Sequence, residues 1–313
     1  MVSIKQALAE KILRRVYNYG YVAPVLSLTS RFPVGTNVFE KEWDALILLD
    51  TCRVDALSQI ASEYEFLPSS INNLTSVGST SSEWIAHTFS EQYRDEIQNT
   101  AYISGNGHAQ FILEDGKHPE ETEDVPACTQ WTTVDSDALG ALKHIWRYDH
   151  GPGHVRPEIV TDAAINIARS DNFDRIIIHY SQPHAPYTAR IVQEGGQLQE
   201  HEEQPFRYLL SGGSREKVFE TYLSNLRWVL RSVSKLLKNL DAPKTIISSD
   251  HGEAFGEFGF YGHQVAAPIP EIKYVPWAVT TGIDKETYTP DLEWKNHSAT
   301  TVEEHLKALG YRD

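Results

Sequence analysis

The sequence of 313 residues has few cysteines, few basic residues and no long apolar run. Its two cysteines, Cys52 and Cys128, are too few for a disulfide framework and form no CxxC pair of the kind that binds zinc or carries redox chemistry. We therefore expect a reducing, cytoplasmic location. No stretch approaches the roughly 18 apolar residues that a membrane-spanning helix needs. The N-terminal residues also lack the apolar segment of a signal peptide, so the sequence predicts neither export nor a membrane span.

Positive charge is also scarce, since 28 basic residues face 43 acidic ones and the net charge is −15. A chain with this balance repels nucleic acid and anionic membranes except through a local basic patch. The N-terminal segment is the one such patch, and we expect no nucleic-acid partner. Hydrophobic residues at 41% and charged residues at 23% are typical of a folded domain of enzyme size.

The chain begins with a segment that differs from the rest. Residues 3–18 have the apolar spacing of an amphipathic helix, and a loop rich in Pro, Ser and Thr follows. This helix either packs on the main domain or forms an arm that binds a membrane surface or a partner. We predict two parts, an N-terminal helix and loop at residues 1–35 and a main domain at residues 36–313.

Downstream, short apolar runs alternate with helical patterns, which predicts an α/β domain with a mostly parallel central sheet flanked by helices. The helical periodicity is clearest at residues 157–169 and 216–240. In such sheets ligands bind at the carboxyl ends of the strands. The predicted strands are Ala45–Leu49, Ala101–Ile103, Arg175–Tyr180, Thr245–Ser248 and Tyr274–Val279.

Acidic and imidazole side chains follow two of these strands. Asp50 closes the first, and Asp250 and His251 follow the fourth, where they could bind one cation together. Two simpler interpretations stay open. The second motif can be a capped loop with an incidental histidine, and the charges near Asp50 can be balanced if Arg53 pairs with Asp50 or with Asp55.

A hydroxyl-rich loop, residues 76–82, leads into a predicted helix at Glu83–Phe89. The amides and dipole of a helix N-terminus favour an anion, so a hydroxyl there can attack a phosphoryl or sulfuryl group. The alternative is that Ser81 and Ser82 are ordinary N-caps and Glu83 is a first-turn acid.

The order of these motifs resembles the alkaline phosphatase and sulfatase superfamily over roughly residues 43–280. The resemblance implies a three-layer sandwich and an enzyme that cleaves an anionic ester. It implies that Asp50, Asp250 and His251 bind a metal ion. It also implies that Thr80 is both a metal ligand and the nucleophile.

Two further histidines match positions of the superfamily. His184, in the element Pro183–Tyr187, would contact the transferred group or protonate its leaving oxygen. His263 would bind substrate or a second metal, and a hydrogen-bonded loop histidine is the alternative. His179, within a strand, is interpreted as a satisfied core histidine, whereas His154 is a candidate rim contact.

Departures from the superfamily narrow the expected reaction. No Cys or Ser lies in the Cys/Ser-x-Pro-x-Arg element that sulfatases modify, which favours phosphoryl chemistry. Thr51 follows Asp50 where many relatives have a second acid, so we expect one divalent ion. Three oxygens and one nitrogen suit manganese, magnesium, calcium or zinc.

The predicted function is therefore metal-dependent hydrolysis of a phosphate ester, whose organic part can be a sugar or glycan. Several alternatives remain. The protein can be a sulfuric ester hydrolase, a phosphoglycerol- or phosphoethanolamine-type transferase acting on a glycan, or a cofactor-independent mutase. A binding protein without turnover is the non-enzyme alternative.

Overall fold

The computed structural model describes residues 15–122, 125–148, 153–170 and 173–291. A seven-stranded sheet runs through it in the order β2-β9-β6-β1-β5-β3-β4, and β7 and β8 form a separate antiparallel pair. β1 is parallel to both β5 and β6, and β3 is parallel to β5 and β4. β9 runs antiparallel to β6 and to β2. The strands are β1 Ala45–Leu49, β2 Asn72–Thr75, β3 Thr100–Ser104, β4 Ala141–His144, β5 Arg175–Tyr180, β6 Ala242–Ser248, β7 Ala254–Phe255, β8 Tyr261–Gly262 and β9 Tyr274–Gly282.

Helices connect the strands and cover the sheet. The α-helices are α1 Ala23–Thr29, α2 Val54–Ile60, α3 Ser81–Thr88, α4 Arg94–Ile97, α5 His108–Leu113, α6 Pro119–Thr122, α7 Pro157–Ser170, α8 Ala189–Glu194, α9 Glu200–Glu203, α10 Pro205–Leu210, α11 Arg215–Leu237 and α12 Pro270–Lys273. A π-helical segment spans Asn18–Val22, and 3-10 turns span Val38–Glu40, Ala61–Glu63, Glu91–Tyr93, Ser136–Ala138, Ile145–Arg147 and Glu257–Gly259.

The central strands are buried on both faces, which explains their continuous apolar sequence. All five residues of β1 are buried, and alternate residues enter different cores. Ile47 packs in the core beneath α7 and α11, whereas Leu46 and Leu48 pack in the core beneath α3 and α5. The predicted sandwich of helices, sheet and helices is therefore confirmed.

The structure adds details that the sequence pattern missed. β2 and β4 were not predicted, and neither was α9, which lies in the polar stretch 193–204. In that stretch Glu202 is buried and forms an ion pair with Arg190 at 2.6 Å. Most of the predicted helix 3–18 lies outside the described residues, and the division at residue 35 stays a prediction.

Candidate active site

Four adjacent parallel strands, β6, β1, β5 and β3, bring their carboxyl ends together at one edge of the sheet. Asp50 directly follows β1, and Asp250 is the second residue after β6. Asn106 is the second residue after β3, and His179 is the penultimate residue of β5. The topology therefore places two carboxylates, an amide and an imidazole at one point, at the sheet edge where parallel α/β sheets bind their ligands.

Ser81, the first residue of α3, supplies the hydroxyl at this point. Its Oγ donates to Asp250 Oδ2 at 2.6 Å and lies 3.3 Å from His251 Nε2. Asn106 Nδ2 donates both to Ser81 Oγ at 2.9 Å and to Asp50 Oδ2 at 2.8 Å. One hydroxyl is thus hydrogen-bonded on both sides at a helix N-terminus.

The hydroxyl of Thr80, which was predicted from sequence to be the nucleophile, is directed at the amides of α3. Thr80 is the N-cap of α3, and its Oγ1 accepts from the backbone N–H of Glu83 at 3.3 Å. The same Oγ1 lies 2.9 Å from Ser82 Oγ. A capping hydroxyl is directed at the helix amides, and the next residue, Ser81, points into the cluster. The N-cap of α3 is therefore Thr80 and not Ser81, and of these two hydroxyls it is Ser81 that contacts the cluster.

His251 presents a lone pair to the two acids. Its Nδ1 lies 2.9 Å from the carbonyl oxygen of Gly252, which only accepts hydrogen bonds, so Nδ1 carries the hydrogen. Its Nε2 lies 3.7 Å from Asp50 Oδ1 and 3.4 Å from Asp250 Oδ2. Burial lowers the pKa of His251 to about 4, so the ring is neutral near pH 7. A lone pair facing two carboxylates is unfavourable unless a cation lies between them.

The two acids have no exposed surface at all. Burial raises the pKa of Asp250, whereas the hydrogen bond that the Ser81 hydroxyl donates to its Oδ2 lowers it. His179 Nε2 lies 3.5 Å from Asp250 Oδ2, while its Nδ1 contacts the Tyr102 hydroxyl at 2.9 Å. His179 is thus buried in the core, as the sequence predicts, and it also lies beside Asp250.

Two backbone positions at this edge of the sheet are sterically constrained. Thr51, next to Asp50, adopts a φ of 65°, which is a strained conformation for a β-branched residue and is typical of functional sites. A Cβ on Gly252 would lie 2.0 Å from the carbonyl oxygen of Glu271, so the turn after His251 requires glycine.

A second cluster lies beside the first. His184, Glu253 and His263 place ligand atoms within 4.8 Å of one another. His263 Nδ1 lies 3.1 Å from Glu253 Oε1, and the His263 ring lies 4.4 Å from the ring of His251. Glu253 is fully buried, and within the described part of the chain its Oε2 has no hydrogen-bond partner. Sequence reasoning did not assign this acid, although it stands two residues after His251.

The ring of His184 lies between a backbone carbonyl and a second histidine. Its Nδ1 contacts the carbonyl oxygen of Ala185 and lies 3.1 Å from Nε2 of His154. Burial lowers the pKa of His184 well below its usual value, and the nearby imidazoles of His263 and His154 lower it further. His154, which contacts the same carbonyl at 2.8 Å, is a buried neighbour of His184 rather than a rim residue.

The contacts of Arg53 show which of the two ion pairs considered from the sequence is formed. Its Nη2 pairs with Asp55 Oδ2 at 2.7 Å, and its Nη1 donates to Glu257 Oε1 at 2.8 Å. Nη1 also donates to the backbone carbonyl of Glu253 at 3.0 Å. Of the two predicted pairings, the structure forms the one with Asp55, and Arg53 supports the loop that carries Glu253.

Comparisons with known proteins give remote structural similarity. No protein-family model and no curated protein matches the sequence. The soluble domain of lipooligosaccharide phosphoethanolamine transferase A from Neisseria meningitidis is 14% identical, with a TM-score of 0.48 and coverage of 75% of each chain. The zinc complex of the C-terminal periplasmic domain of EcEptC from Escherichia coli is 12% identical, with a TM-score of 0.48 and coverage of 83% of this chain and 79% of that one. A protein in the alkaline phosphatase superfamily from Vibrio parahaemolyticus is 11% identical, with a TM-score of 0.41 and coverage of 84% and 69%. The Vibrio parahaemolyticus protein is described as a member of the superfamily that the motifs resemble.

The comparison overturns the cytoplasmic location expected from the cysteine content, because the matched Escherichia coli structure is a periplasmic domain. Two cysteines are a weak indicator of compartment. Cys52 is buried and Cys128 is exposed, and neither forms a disulfide. Within the described residues, no helix is both long enough and apolar enough to cross a bilayer.

Proposed function

We propose that this chain is a metal-dependent enzyme of the alkaline phosphatase and sulfatase type that cleaves a phosphate ester, with Ser81 as the nucleophile. One observation carries the proposal. The Ser81 hydroxyl, at the N-terminus of α3, contacts Asp250 and lies 3.3 Å from the lone pair of His251. A hydroxyl in this setting is activated by a cation and faces a position that favours an anion.

The donor set supports a divalent cation. Asp50, Asp250, His251 and Ser81 would hold it, with three oxygens and one nitrogen that suit manganese, zinc or magnesium. When bound, the cation lowers the pKa of the Ser81 hydroxyl and shields the negative charge of the substrate. Asn106 keeps the Ser81 Oγ in place, since its amide donates to that oxygen at 2.9 Å.

The covalent step is a substitution at phosphorus. Ser81 Oγ attacks in line with the departing oxygen, so an Oγ–P bond forms and the ester P–O bond breaks. Ser81 loses its proton to solvent and the departing oxygen takes one up. In this proposal His184 contacts the transferred group or its departing oxygen. Water then releases phosphate from Ser81, or an acceptor hydroxyl takes it if the enzyme is a transferase.

Phosphate is favoured over sulfate by the residues around the nucleophile. Sulfatases of this superfamily oxidise a Cys or Ser within Cys/Ser-x-Pro-x-Arg, and Ser81 is followed by Ser-Glu-Trp-Ile instead. An unmodified hydroxyl matches phosphoryl transfer. In the transferase alternative, a glycan or lipid hydroxyl takes the place of water as the acceptor.

The test compares two neighbouring hydroxyls as a matched pair. With p-nitrophenyl phosphate, bis-p-nitrophenyl phosphate and p-nitrophenyl sulfate as substrates and manganese or EDTA in the buffer, Ser81→Ala should lower turnover by at least about a thousandfold. Thr80→Ala should keep most of the activity and lose about 1 kcal/mol of stability, the usual cost of a lost N-cap. Peptide mass spectrometry of trapped enzyme should find the phosphate on Ser81. Full activity in Ser81→Ala would transfer the nucleophile to another residue, and faster sulfate cleavage would reverse the choice of ester.

A two-metal enzyme is the second candidate, and the buried Oε2 of Glu253 favours it. A carboxylate with an oxygen that lacks a hydrogen bond, flanked by two imidazoles, is a metal-ligand set in its own right. Metal analysis of the purified protein should then find two ions per chain, and Glu253→Gln should remove one. One ion in both proteins would leave the second cluster as a substrate-binding group.

A further inference from the structure

The segment at residues 15–34 carries a concentration of exposed apolar side chains, here called the N-terminal apolar face. It consists of Val16, Tyr19, Leu28, Phe32 and Val34, which are between 60% and 67% exposed. Five of the eleven strongly exposed large apolar side chains in the described ranges thus fall within nineteen residues. Scattered apolar residues are ordinary on protein surfaces, whereas a group of this kind indicates an interaction surface.

Other residues of the same segment are used for packing on the domain. Val22 and Leu26 are buried with Val125, Val265 and Ala266 in a small core of their own. The Tyr21 hydroxyl donates to the carbonyl oxygen of Ala266 at 3.2 Å. Because this packing fixes the segment on the domain, the exposed apolar side chains are held outward and cannot fold back into that core.

The charge of the segment is opposite to that of the remaining chain. The first 39 residues contain five basic residues and one acidic residue, a net charge of +4 in a chain whose net charge is −15. Arg15 and Arg31, the two that lie in the described part, are both exposed. Between residues 15 and 39 there is no Asp or Glu.

We propose that the N-terminal apolar face docks on an anionic lipid surface, with the aromatic and aliphatic side chains entering the interface and the basic residues contacting lipid headgroups. Exposed aromatic and aliphatic side chains combined with positive charge are the signature of an interfacial segment. A second copy of the chain fits less well, because a symmetric contact would bring two positively charged faces together. This inference does not depend on the proposed chemistry.

The docked face lies next to the loop that carries catalytic candidates. Ala266, which accepts from Tyr21, also donates through its backbone N–H to the Glu83 carboxylate at 3.2 Å. Glu83 in turn accepts from the backbone N–H of Ser79 at 2.9 Å, within the hydroxyl-rich loop. Docking would therefore hold the loops around Ser81 and His263 close to the lipid surface. An ester on a lipid headgroup could then reach the candidate active site.

The test is co-sedimentation of the full chain with vesicles. Vesicles of equal parts phosphatidylglycerol and phosphatidylcholine should bind the protein, and pure phosphatidylcholine vesicles should bind it more weakly. The triple variant Tyr19→Ser, Phe32→Ser and Val34→Ser should partition about a hundredfold more weakly. The matched control replaces three exposed apolar residues outside the segment, Val192→Ser, Leu210→Ser and Ile283→Ser, and should bind like the wild type.

Two results would overturn the proposal. The first is equal vesicle binding by the triple variant and the control. The second is a wild-type chain that does not bind vesicles but is dimeric by light scattering, with the triple variant monomeric, which would assign the face to a second copy. Both variants should keep wild-type turnover of p-nitrophenyl phosphate, so a failure of docking is distinguishable from a failure of the proposed chemistry.

Discussion

Replacing Asp50 with asparagine should stabilise the metal-free protein, although it removes a side chain that the fold buries completely. The ligand atoms of Asp50 and Asp250 lie within 4.8 Å of each other, and both side chains have no exposed surface. At this separation two negative charges repel by about 3 kcal/mol with an effective dielectric constant of about 20. The amide oxygen of the new side chain can still accept the hydrogen bond from Asn106, which the carboxylate accepts at 2.8 Å. The expected gain in the free energy of unfolding in EDTA is about 1–3 kcal/mol.

The same substitution should remove the response to metal. A cation that binds only the folded state, at a free concentration several hundred times its dissociation constant, adds about 3 to 4 kcal/mol to the free energy of unfolding. The wild type should therefore gain this amount in manganese, and Asp50→Asn should gain far less. Urea unfolding followed by tryptophan fluorescence, with EDTA or manganese, measures all four values.

Asp55→Asn is the control, because Asp55 faces a cation and not another acid. Its carboxylate pairs with Arg53 at 2.7 Å, and its side chain is 58% exposed. Because solvent screens this ion pair, Asp55→Asn should lose about 1 kcal/mol or less of its free energy of unfolding, and this loss should be the same with and without metal. A metal-free Asp50→Asn protein that is less stable than the wild type would refute the reasoning, since the acids would then not repel each other.

Three further predictions concern residues around the site and in the core. Burial lowers the pKa of His87 from 6.5 to about 3, so the unfolded chain takes up a proton that the folded chain does not, and stability falls as pH drops below about 6.5. Between pH 7 and pH 5 the free energy of unfolding, measured with urea, should therefore fall by about 2 kcal/mol less in His87→Phe than in the wild type. Equal losses in the two proteins would contradict the lowered pKa of His87. Asn106→Ala should lower turnover by about tenfold to a hundredfold because Ser81 loses its donor, measured with p-nitrophenyl phosphate at saturating manganese; unchanged turnover would show that Ser81 is held without it. Arg53→Lys should lower the free energy of unfolding by about 1–3 kcal/mol, measured by urea unfolding, because an ammonium cannot hold Asp55, Glu257 and the backbone carbonyl of Glu253 at once; a wild-type midpoint would refute this.

The central strands could be predicted from sequence because they are buried on both faces. β1 and β5 have the predicted bounds, since an unbroken apolar run leaves little choice of register or length. β2 was missed because its sequence, Asn-Asn-Leu-Thr, is polar and its side chains are exposed or half-buried at the sheet edge. Its strand conformation depends on pairing with β9, a contact distant in sequence.

The candidate site was predictable where a strand end fixed the residue. Asp50, Asp250 and His251 follow directly from the apolar runs of β1 and β6. Thr80 was chosen over Ser81 because consecutive hydroxyl residues at a helix start look alike, and a shift of one residue decides which hydroxyl caps the helix and which points inward. Asn106 was beyond reach because its partners, Asp50 after β1 and Ser81 on α3, are distant from it in the sequence.

A structural role for the buried cluster is difficult to sustain on energetic grounds. Asp50 and Asp250 are fully buried and His251 directs a lone pair at both, so this cluster costs the metal-free fold more free energy than apolar side chains would. The nearby guanidinium of Arg53, which could have neutralised them, instead pairs with Asp55 and Glu257. A fold that needed only stability would contain apolar side chains at this sheet edge. The arrangement becomes favourable once a divalent cation occupies the space between the carboxylates, which is why its cost in the metal-free protein is itself support for a metal-dependent function.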